Sequence, residues 1–311
     1  MSSSTSILAA PSSDTGGPAG ICWRVVEAQH HVSTLKLVDS VAEQELLENL
    51  IEASKPPLPP ECRDLHYLLS TPFRYGAAYP NGSRFRRPGM TEGVFYASES
   101  PQTAVAEMAF YRLLFFAESR DTPWPANPAE YTAFSAKYAT KRAIDLTKGK
   151  YKPHSAKWMH LTHYSHCQAL AEAARTAKIE VIRYMSVRDP AHGMNFALLT
   201  CCAFACRDPI DQQTWHIHLS DAGAQAICEA PKSGISFDRK SFAVDPRIAK
   251  LLARYPLNPI FMLLLGNLNA ELGRNAKASE YFHAAQKTSI PDSTCAVRMR
   301  ELAGSFLATL R

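Results

Sequence analysis

A short apolar run followed closely by a helix-start signal constrains the middle of this chain more than any other feature. Gly93–Ala97 has the composition of a short buried strand. Ser100 and Pro101 then supply an N-cap side chain and a proline suited to the first helical position. The sequence therefore predicts a strand followed directly by a helix that runs to about Phe116.

Other segments predict a mixture of helices and strands. Val41–Ala53 has the apolar spacing of an amphipathic helix, and the proline-rich run Lys55–Pro60 ends it. Cys167–Ala177 is an alanine-rich helix. Further strands are expected over Ile21–Glu27, Tyr67–Tyr75, Tyr131–Phe134, Arg142–Leu146, Ile179–Val187, Asn195–Cys201 and Thr214–Leu219. Because these elements do not alternate as a regular βαβα series, we expect an α+β fold built on a mixed sheet.

The chain divides into three predicted parts. Residues 1–20 are rich in Ser, Gly and Pro, which predicts a disordered tail. Residues 21–246 form the main domain, and residues 247–311 are expected to be entirely helical. The spacing of Leu265-Gly266, Gly273, Ala278 and Phe282 in this extension is that of one tetratricopeptide-like hairpin, which must pack on another surface.

Composition excludes several classes of protein. The chain is 46% hydrophobic and 20% charged, which is typical of a globular protein with a sizeable core. No apolar run approaches the ~20 residues that span a bilayer, so we expect no membrane segment. A net charge of +5 favours an anionic ligand without requiring nucleic acid. Eight cysteines without a C-x-x-C pair, in a chain too long to need a disulfide framework, favour a reducing cytoplasmic setting. Rossmann and P-loop glycine motifs are absent.

The predicted central helix carries a notable carboxylate. Glu107 is the only ionisable residue in the apolar run Thr103–Phe110. It lies either on a narrow exposed face of the helix or in a desolvated site that serves a purpose. Tyr96, in the preceding strand, is expected near the mouth of any cleft that this helix lines.

Arginines cluster ahead of this unit. Arg74 lies in an apolar segment where an arginine requires an anionic partner. Arg84, Arg86 and Arg87 lie in the Gly/Pro-rich loop 76–91. This loop is either a solvated basic turn or a bidentate clamp for a pyrophosphate.

Polar residues on the later strands complete the candidates. Ser186 shares a strand face with Ile182 and Tyr184, and it is either functional or a core hydroxyl. Asn195 opens the next strand, where turn chemistry would also explain it. Three histidines recur at every third residue without a carboxylate or cysteine partner, so no metal site is expected: His160, His163 and His166.

Taken in order, these motifs resemble the RES domain, a family named for its Arg, Glu and Ser. The matching pieces are Arg74-Tyr75, Ser83-Arg84-Phe85, Val94–Ser98, Ala104–Glu107, Met185-Ser186 and Asn195. Two departures from the family pattern are Phe85 in place of tryptophan and a short spacing between Arg74 and Arg84. The resemblance implies an ADP-ribosyltransferase-like fold and cleavage of the nicotinamide–ribose bond of NAD.

The resemblance also implies roles for individual residues. Glu107 would stabilise the oxocarbenium-like ribose, as in other glycoside cleavages. Arg74 and Arg84 would bind the pyrophosphate, with Arg86 as the rival to Arg84 in this loop. The remaining residues would contact the nicotinamide riboside: Tyr75, Tyr96, Ser186 and Asn195.

Partners and alternatives follow from the same resemblance. NAD would be the substrate and no separate cofactor is expected. The family implies a bacterial toxin neutralised by an Xre-type antitoxin, and a homodimer is possible. A mono-ADP-ribosyltransferase that modifies a protein would use the same site. A non-catalytic binding module acting through the tetratricopeptide-like tail is the alternative from a different class.

Overall fold

The protein is built around one mixed sheet, as seen in a computed structural model. The structure describes residues 19–28, 34, 37–74, 82–89, 92–119, 122–220, 222–242, 244–248, 259–287 and 302–308. The strands within these ranges are β1 (Ala19–Glu27), β2 (Phe95–Ser98), β3 (Ala129–Ala139), β4 (Ala143–Asp145), β5 (Val181–Met185), β6 (Met194–Leu198), β7 (Asp211–Ser220), β8 (Gly223–Cys228) and β9 (Ser233–Asp238). Their order in the sheet is β4-β5-β6-β2-β1-β3-β7-β8-β9. Strands β4 and β5 are parallel, and every other neighbouring pair is antiparallel. The predicted α+β class is confirmed.

The helices cover this sheet and extend beyond it. They are α1 (Val41–Ser54), α2 (Tyr67–Arg74), α3 (Pro101–Glu118), α4 (Ser155–Trp158), α5 (Ser165–Thr176), α6 (Pro259–Glu271) and α7 (Asn275–Lys287), with a further helical segment at 302–308. Helix α3 begins as expected, because the Ser100 hydroxyl accepts a hydrogen bond from the Thr103 N–H and Pro101 follows it. None of the helices in the described ranges combines the length and hydropathy needed to cross a membrane.

Alternation along the strands gives the sheet two faces. Tyr96 and Ser98 of β2 point to one side, which we name the cleft face, and Phe95 and Ala97 point to the other, the back face. Helices α3 and α5 both pack on the cleft face, each over its own apolar cluster. Helix α2 packs on the back face, where Leu69 is fully buried. Any site between α3 and α5 therefore lies across the sheet from α2.

The strand predicted over Tyr67–Tyr75 is wrong, because the chain forms helix α2 there. Leu69 and Phe73 are four residues apart and pack together on the back face, as helical spacing allows. Pro72 lies in the last turn of this short helix. Tyr75 lies outside the described residues.

Several other expectations need adjustment. The hairpin of β8 and β9 was not predicted from the sequence. Ala19 and Gly20 belong to β1 rather than to a disordered tail, while residues 1–18 lie outside the described part of the chain. Cys62 and Cys201 form a disulfide, so the expectation of a chain without such bridges is wrong at this pair.

The C-terminal extension forms a helical hairpin with a small core of its own. Gly266 of α6 lies so close to the Phe282 ring of α7 that a Cβ atom would approach it to 2.3 Å. Phe306 of the segment 302–308 stacks on the same ring at a centroid distance of 5.3 Å. The hairpin is present, whereas its tetratricopeptide-like character stays a prediction, and residues 249–258 and 288–301 lie outside the described part.

The segment that leads into this extension is packed on the main domain. Phe242 and Ile248 are buried in the cluster beneath α3, which also contains Trp215 of β7. Burial of Ile248 means that the core of the main domain extends past residue 246.

Replacing Ile248 with alanine should therefore destabilise the main domain. Ile248 is 2% exposed, and such a truncation typically costs about 2–5 kcal/mol in the free energy of unfolding. Urea unfolding followed by tryptophan fluorescence would report it through the buried Trp215. Leu272→Ala is the matched control, since that leucine is 55% exposed and its loss should change stability by about 0.5 kcal/mol or less. Equal effects of the two changes would contradict the packing of Ile248.

Candidate active site

A half-buried carboxylate on α3 lies at the centre of the candidate site. One oxygen of Glu107, Oε1, accepts two hydrogen bonds, from the Ser186 hydroxyl at 2.7 Å and the Asn195 side-chain amide at 2.6 Å. Within the described part of the chain, Oε2 of Glu107 has no hydrogen-bond partner. Three residues that the sequence singled out separately thus meet at one point.

Asn195 is held in this orientation by the strand next to it. Asn195, the second residue of β6, lies opposite Ser98 of β2, and both side chains point to the cleft face. The Ser98 hydroxyl donates to Asn195 Oδ1 at 2.7 Å, which leaves the amide nitrogen to donate to Glu107. The Asn195 side chain therefore has a defined donor end, which faces the carboxylate.

Ser186 is fixed by the turn that follows β5. Its hydroxyl oxygen accepts hydrogen bonds from the backbone N–H groups of Arg188 at 3.1 Å and Asp189 at 2.9 Å. With both N–H groups donating to that oxygen, the hydroxyl proton is available for Glu107. Asp189 in turn accepts a hydrogen bond from the Thr103 hydroxyl at 2.8 Å, which ties this turn to the first turn of α3.

Gly193 permits this close approach of the turn to α3. A Cβ atom at Gly193 would lie 2.1 Å from Thr103 Oγ1 and 2.7 Å from Asp189 Oδ2. The Gly193 N–H also donates to Asp189 Oδ2 at 3.2 Å. A glycine is therefore required between the serine and the asparagine that hold Glu107.

Tyrosines form the walls around the carboxylate. Burial raises the pKa of Tyr184 well above its usual value, and the nearby charge of Glu107 raises it further. Tyr111, one turn after Glu107 on α3, is 50% exposed. Desolvation by the surrounding protein nevertheless raises the pKa of Tyr111, with further contributions from Tyr164 and Glu107. Tyr184 and Tyr111 therefore lie close to Glu107, the first buried and the second half exposed.

The Tyr96 hydroxyl bonds to the loop that carries Arg84. The Tyr96 oxygen lies 2.8 Å from Ser83 Oγ and accepts a hydrogen bond from the Phe85 N–H at 2.9 Å. Burial raises the pKa of Tyr96, which keeps this hydroxyl neutral. Tyr96 therefore attaches the loop that carries Arg84, Arg86 and Arg87, which we name the arginine loop, to the cleft face of the sheet.

The arginines of this loop have three different environments. Arg84 is half-buried, donates to the Trp158 carbonyl at 2.6 Å and lies 4.7 Å above the ring of Tyr164. Arg86 is also half-buried, and burial lowers its pKa. Arg87 forms a two-pronged ion pair with Glu172 of α5 near the protein surface. Of the three, Arg84 is the one whose guanidinium stacks on a tyrosine, Tyr164.

Arg74 is engaged elsewhere. Its guanidinium contacts Glu52 of α1 at 2.6 Å and donates to the Pro56 carbonyl at 2.5 Å. Helix α2, which carries Arg74, packs on the back face, whereas Glu107 lies on the cleft face. The structure therefore brings Glu107, Ser186, Asn195, Tyr96 and Arg84 together but ties Arg74 to α1.

Sequence reasoning missed one arginine of the site. Arg188 is 4% exposed, and its guanidinium lies 4.0 Å from the ring of Phe110, one turn after Glu107. Its position two residues after Ser186 was available as a signal, but the Arg188-Asp189-Pro190 run was interpreted only as the end of a strand.

The described residues contain no group of three His, Cys, Asp or Glu side chains arranged to hold a metal ion.

The fold and the site together define a class of protein. Its members combine an α+β fold with a carboxylate, a serine and an arginine that lie near several tyrosines. The family model of the RES domain matches residues 58–220, more than half of the chain. The chain therefore belongs to the RES domain family. None of the curated proteins compared with the chain matches it.

Membership of this family carries a general functional meaning. It suggests a toxin-like, NAD-related function and is generally associated with enzymatic activity on NAD. Members are typically part of toxin–antitoxin systems. Strand β1, the β8–β9 hairpin and the helical extension all lie outside the matched region.

The contact between Arg74 and Glu52 predicts an unusual titration. Hydrogen bonds from Arg74 and then Lys55 lower the pKa of Glu52 to about 2. Because this pKa is depressed, the pair stabilises the fold above the ordinary glutamate pKa and loses its contribution as the pH falls towards 2. Carboxyl-carbon NMR should show Glu52 titrating near pH 2 in the native protein and clearly higher in Arg74→Ala.

Lys55→Ala is the matched control, because Lys55 is the smaller cause of this shift and its loss should move the Glu52 midpoint less. An unchanged midpoint in Arg74→Ala would contradict the pairing of Arg74 with Glu52.

Proposed function

We propose that this protein cleaves the nicotinamide–ribose bond of NAD, which is its substrate, and that it needs no separate cofactor. The observation that carries the proposal is the state of Glu107. Two donors hold Oε1 of Glu107 between α3 and the sheet, near Tyr111 and Tyr184, and Oε2 has no partner among the described residues. A carboxylate held in this way can face a developing positive charge without reorganising.

The reaction itself makes modest demands on proton transfer. The bond between the ribose C1′ and the pyridinium nitrogen breaks, and its electron pair leaves with nicotinamide, which departs neutral. A general acid is therefore unnecessary. The ribose becomes oxocarbenium-like, and water or phosphate then adds to C1′. An added water loses one proton to the solvent, while phosphate adds through an oxygen that already carries negative charge. Glu107 would stabilise the ribose cation and orient its hydroxyl groups, while Ser186 and Asn195 hold the carboxylate in place.

We assign the pyrophosphate to Arg84 rather than Arg74 or Arg86. Arg84 interacts electrostatically with Tyr111 and Tyr184, which both also interact with Glu107, so its charge lies within reach of the site. Its stacking on Tyr164 leaves a guanidinium edge of the kind that binds phosphate oxygens in pairs. Remote binding of the phosphates would align the ribose with Glu107.

The tyrosines would bind the nicotinamide riboside. The Tyr96 hydroxyl is committed to the arginine loop, so its contribution to the ligand would come from the ring face. Tyr75 lies outside the described residues, and its stacking role stays a prediction.

The cellular role that we propose is that of a bacterial cytoplasmic toxin. An Xre-type antitoxin would neutralise it by placing a segment in the NAD cleft, and no contact with nucleic acid or membrane is required of the toxin. If ADP-ribose is instead transferred to a protein, mass spectrometry of candidate targets incubated with NAD and this enzyme will show the added mass. If the protein is only a binding module, purified protein will not consume NAD.

Replacing Glu107 with glutamine should nearly abolish NAD consumption while the fold is retained. Loss of one transition-state charge partner typically lowers the rate by ~10²–10³. Nicotinamide release from NAD, measured by liquid chromatography, would give the rate. The control is Glu118→Gln, an exposed glutamate at the end of the same helix, which should retain normal turnover. Turnover by Glu107→Gln equal to that of the control would refute the role of this carboxylate.

Replacing Arg84 with alanine should weaken NAD binding far more than replacing Arg87. A charge-assisted hydrogen bond contributes about 1.5–3 kcal/mol, which corresponds to ~10–100-fold in the dissociation constant. Titration calorimetry in the inactive Glu107→Gln protein isolates binding from turnover. Arg87 is the matched control because it belongs to the same loop and is paired with Glu172 near the surface. Equal dissociation constants for the two variants would remove Arg84 from the phosphate site.

A further inference from the structure

A buried group of charges connects the C-terminal part of the chain to the candidate site. Asp245 is 2% exposed, and its Oδ2 accepts a hydrogen bond from Nη1 of Arg188 at 2.5 Å. Arg247 contacts both oxygens of the same carboxylate, Nε to Oδ1 at 3.1 Å and Nη2 to Oδ2 at 3.0 Å. One carboxylate therefore binds two guanidinium groups, of which one is fully enclosed.

Arg188 links this group of charges to the turn after β5, which carries Ser186, and to α3, which carries Glu107. It follows Ser186 by two residues, and its guanidinium stacks on Phe110 of α3, one turn after Glu107. Burying an arginine is costly unless a carboxylate pairs with it, so Arg188 can hold this position only because Asp245 is present.

The contacts continue from Arg188 to the arginine loop. Nη2 of Arg188 donates to the Tyr164 hydroxyl at 3.2 Å and to the Leu161 carbonyl. The Tyr164 ring supports the guanidinium of Arg84 at 4.7 Å. A continuous series of contacts thus runs from Asp245 through Arg188 and Tyr164 to Arg84.

The electrostatics favour a permanently charged network. Burial alone would raise the pKa of Asp245, but hydrogen bonds from Arg247 and the charges of Arg188 and Arg247 outweigh burial and lower it. Asp245 is therefore ionised at neutral pH, and the contact series does not depend on a proton.

We propose that Asp245, which lies beyond the matched family region 58–220, is a positioning residue of the active site. Asp245 fixes the guanidinium of Arg188, and Arg188 in turn holds the hydroxyl of Tyr164. The ring of Tyr164 then positions Arg84 to bind the phosphates of the substrate. This inference rests on the proposed function and adds to it a residue from outside the family domain. It also predicts that the series acts on substrate binding rather than on bond cleavage.

A double-mutant cycle tests the proposal. Tyr164→Phe removes the hydroxyl that accepts from Arg188 and donates to the Leu161 carbonyl at 3.1 Å. It keeps the ring beneath Arg84, so it should fold normally. NAD titrations in the Glu107→Gln background should show roughly fivefold weaker binding for Tyr164→Phe. In steady-state assays of the active enzyme, KM should rise by a similar factor while kcat changes by less than about twofold. In the Arg84→Ala background the same Tyr164 change should have no further effect, because both act through one guanidinium.

Asp245→Asn is the second test. It should lower the affinity for NAD more than Tyr164→Phe does. Asp64→Asn is its control, since Asp64 faces Arg207 across an exposed pair with a separation of 3.9 Å. If Asp245→Asn does not fold, Asp245→Glu, which keeps the charge but displaces the carboxylate from Arg188, replaces it with the same expectation, and the Tyr164→Phe cycle tests the link from Arg188 to Arg84. Additive effects of the Tyr164 and Arg84 changes, or a loss confined to kcat, would overturn the inference while leaving the proposed function intact. Failure of the parent protein to bind NAD would overturn both.

Discussion

The register between strands β2, β6 and β5 is the constraint on which the rest of the site depends. Asn195 pairs with Ser98 on one side and with Tyr184 on the other, so all three side chains point to the same face of the sheet. Side chains alternate with a period of two, and a slip of one residue would turn Asn195 away from α3. The hydrogen bonds to Glu107 are therefore a consequence of backbone pairing, which the apolar clusters on both faces enforce by burying opposite sets of side chains.

The same division into faces separates two arginines that look equivalent in sequence. Arg84 lies in a loop that the Tyr96 hydroxyl holds on the cleft face, whereas Arg74 ends a helix on the back face and pairs with Glu52. Proximity along the chain is thus a poor guide to proximity in space where a sheet lies between two segments. The buried cation next to the candidate site is Arg188. Its role can be recognised only in the structure, where Asp245 pairs with it.

Local signals in the sequence predict the strand–helix unit around Glu107 because capping and apolar burial there agree with the final fold. Local patterns alone left Ser186 and Asn195 open to a core or turn role, and only the order of motifs shared with the family grouped them with Glu107, where the structure places both. Local signals fail for α2, where the helical spacing of Leu69 and Phe73 was outweighed by an apparent strand composition. They fail again for the β8–β9 hairpin, which is stabilised mainly by pairing with β7 and by burial of Phe237. No local pattern reports that Arg188 and Asp245 are partners.

The position of β1 has a consequence for how the protein acquires its structure. This strand comes from the start of the described chain, yet it lies in the middle of the sheet, between β2 and β3. Its residue Ala19 pairs with Ala139, so the two halves of the sheet join through contacts between distant parts of the chain. Such non-local pairing is slow to form because a long loop must close first. The half of the sheet that holds Asn195 and the half that holds Trp215 therefore become one structure only when the first strand arrives.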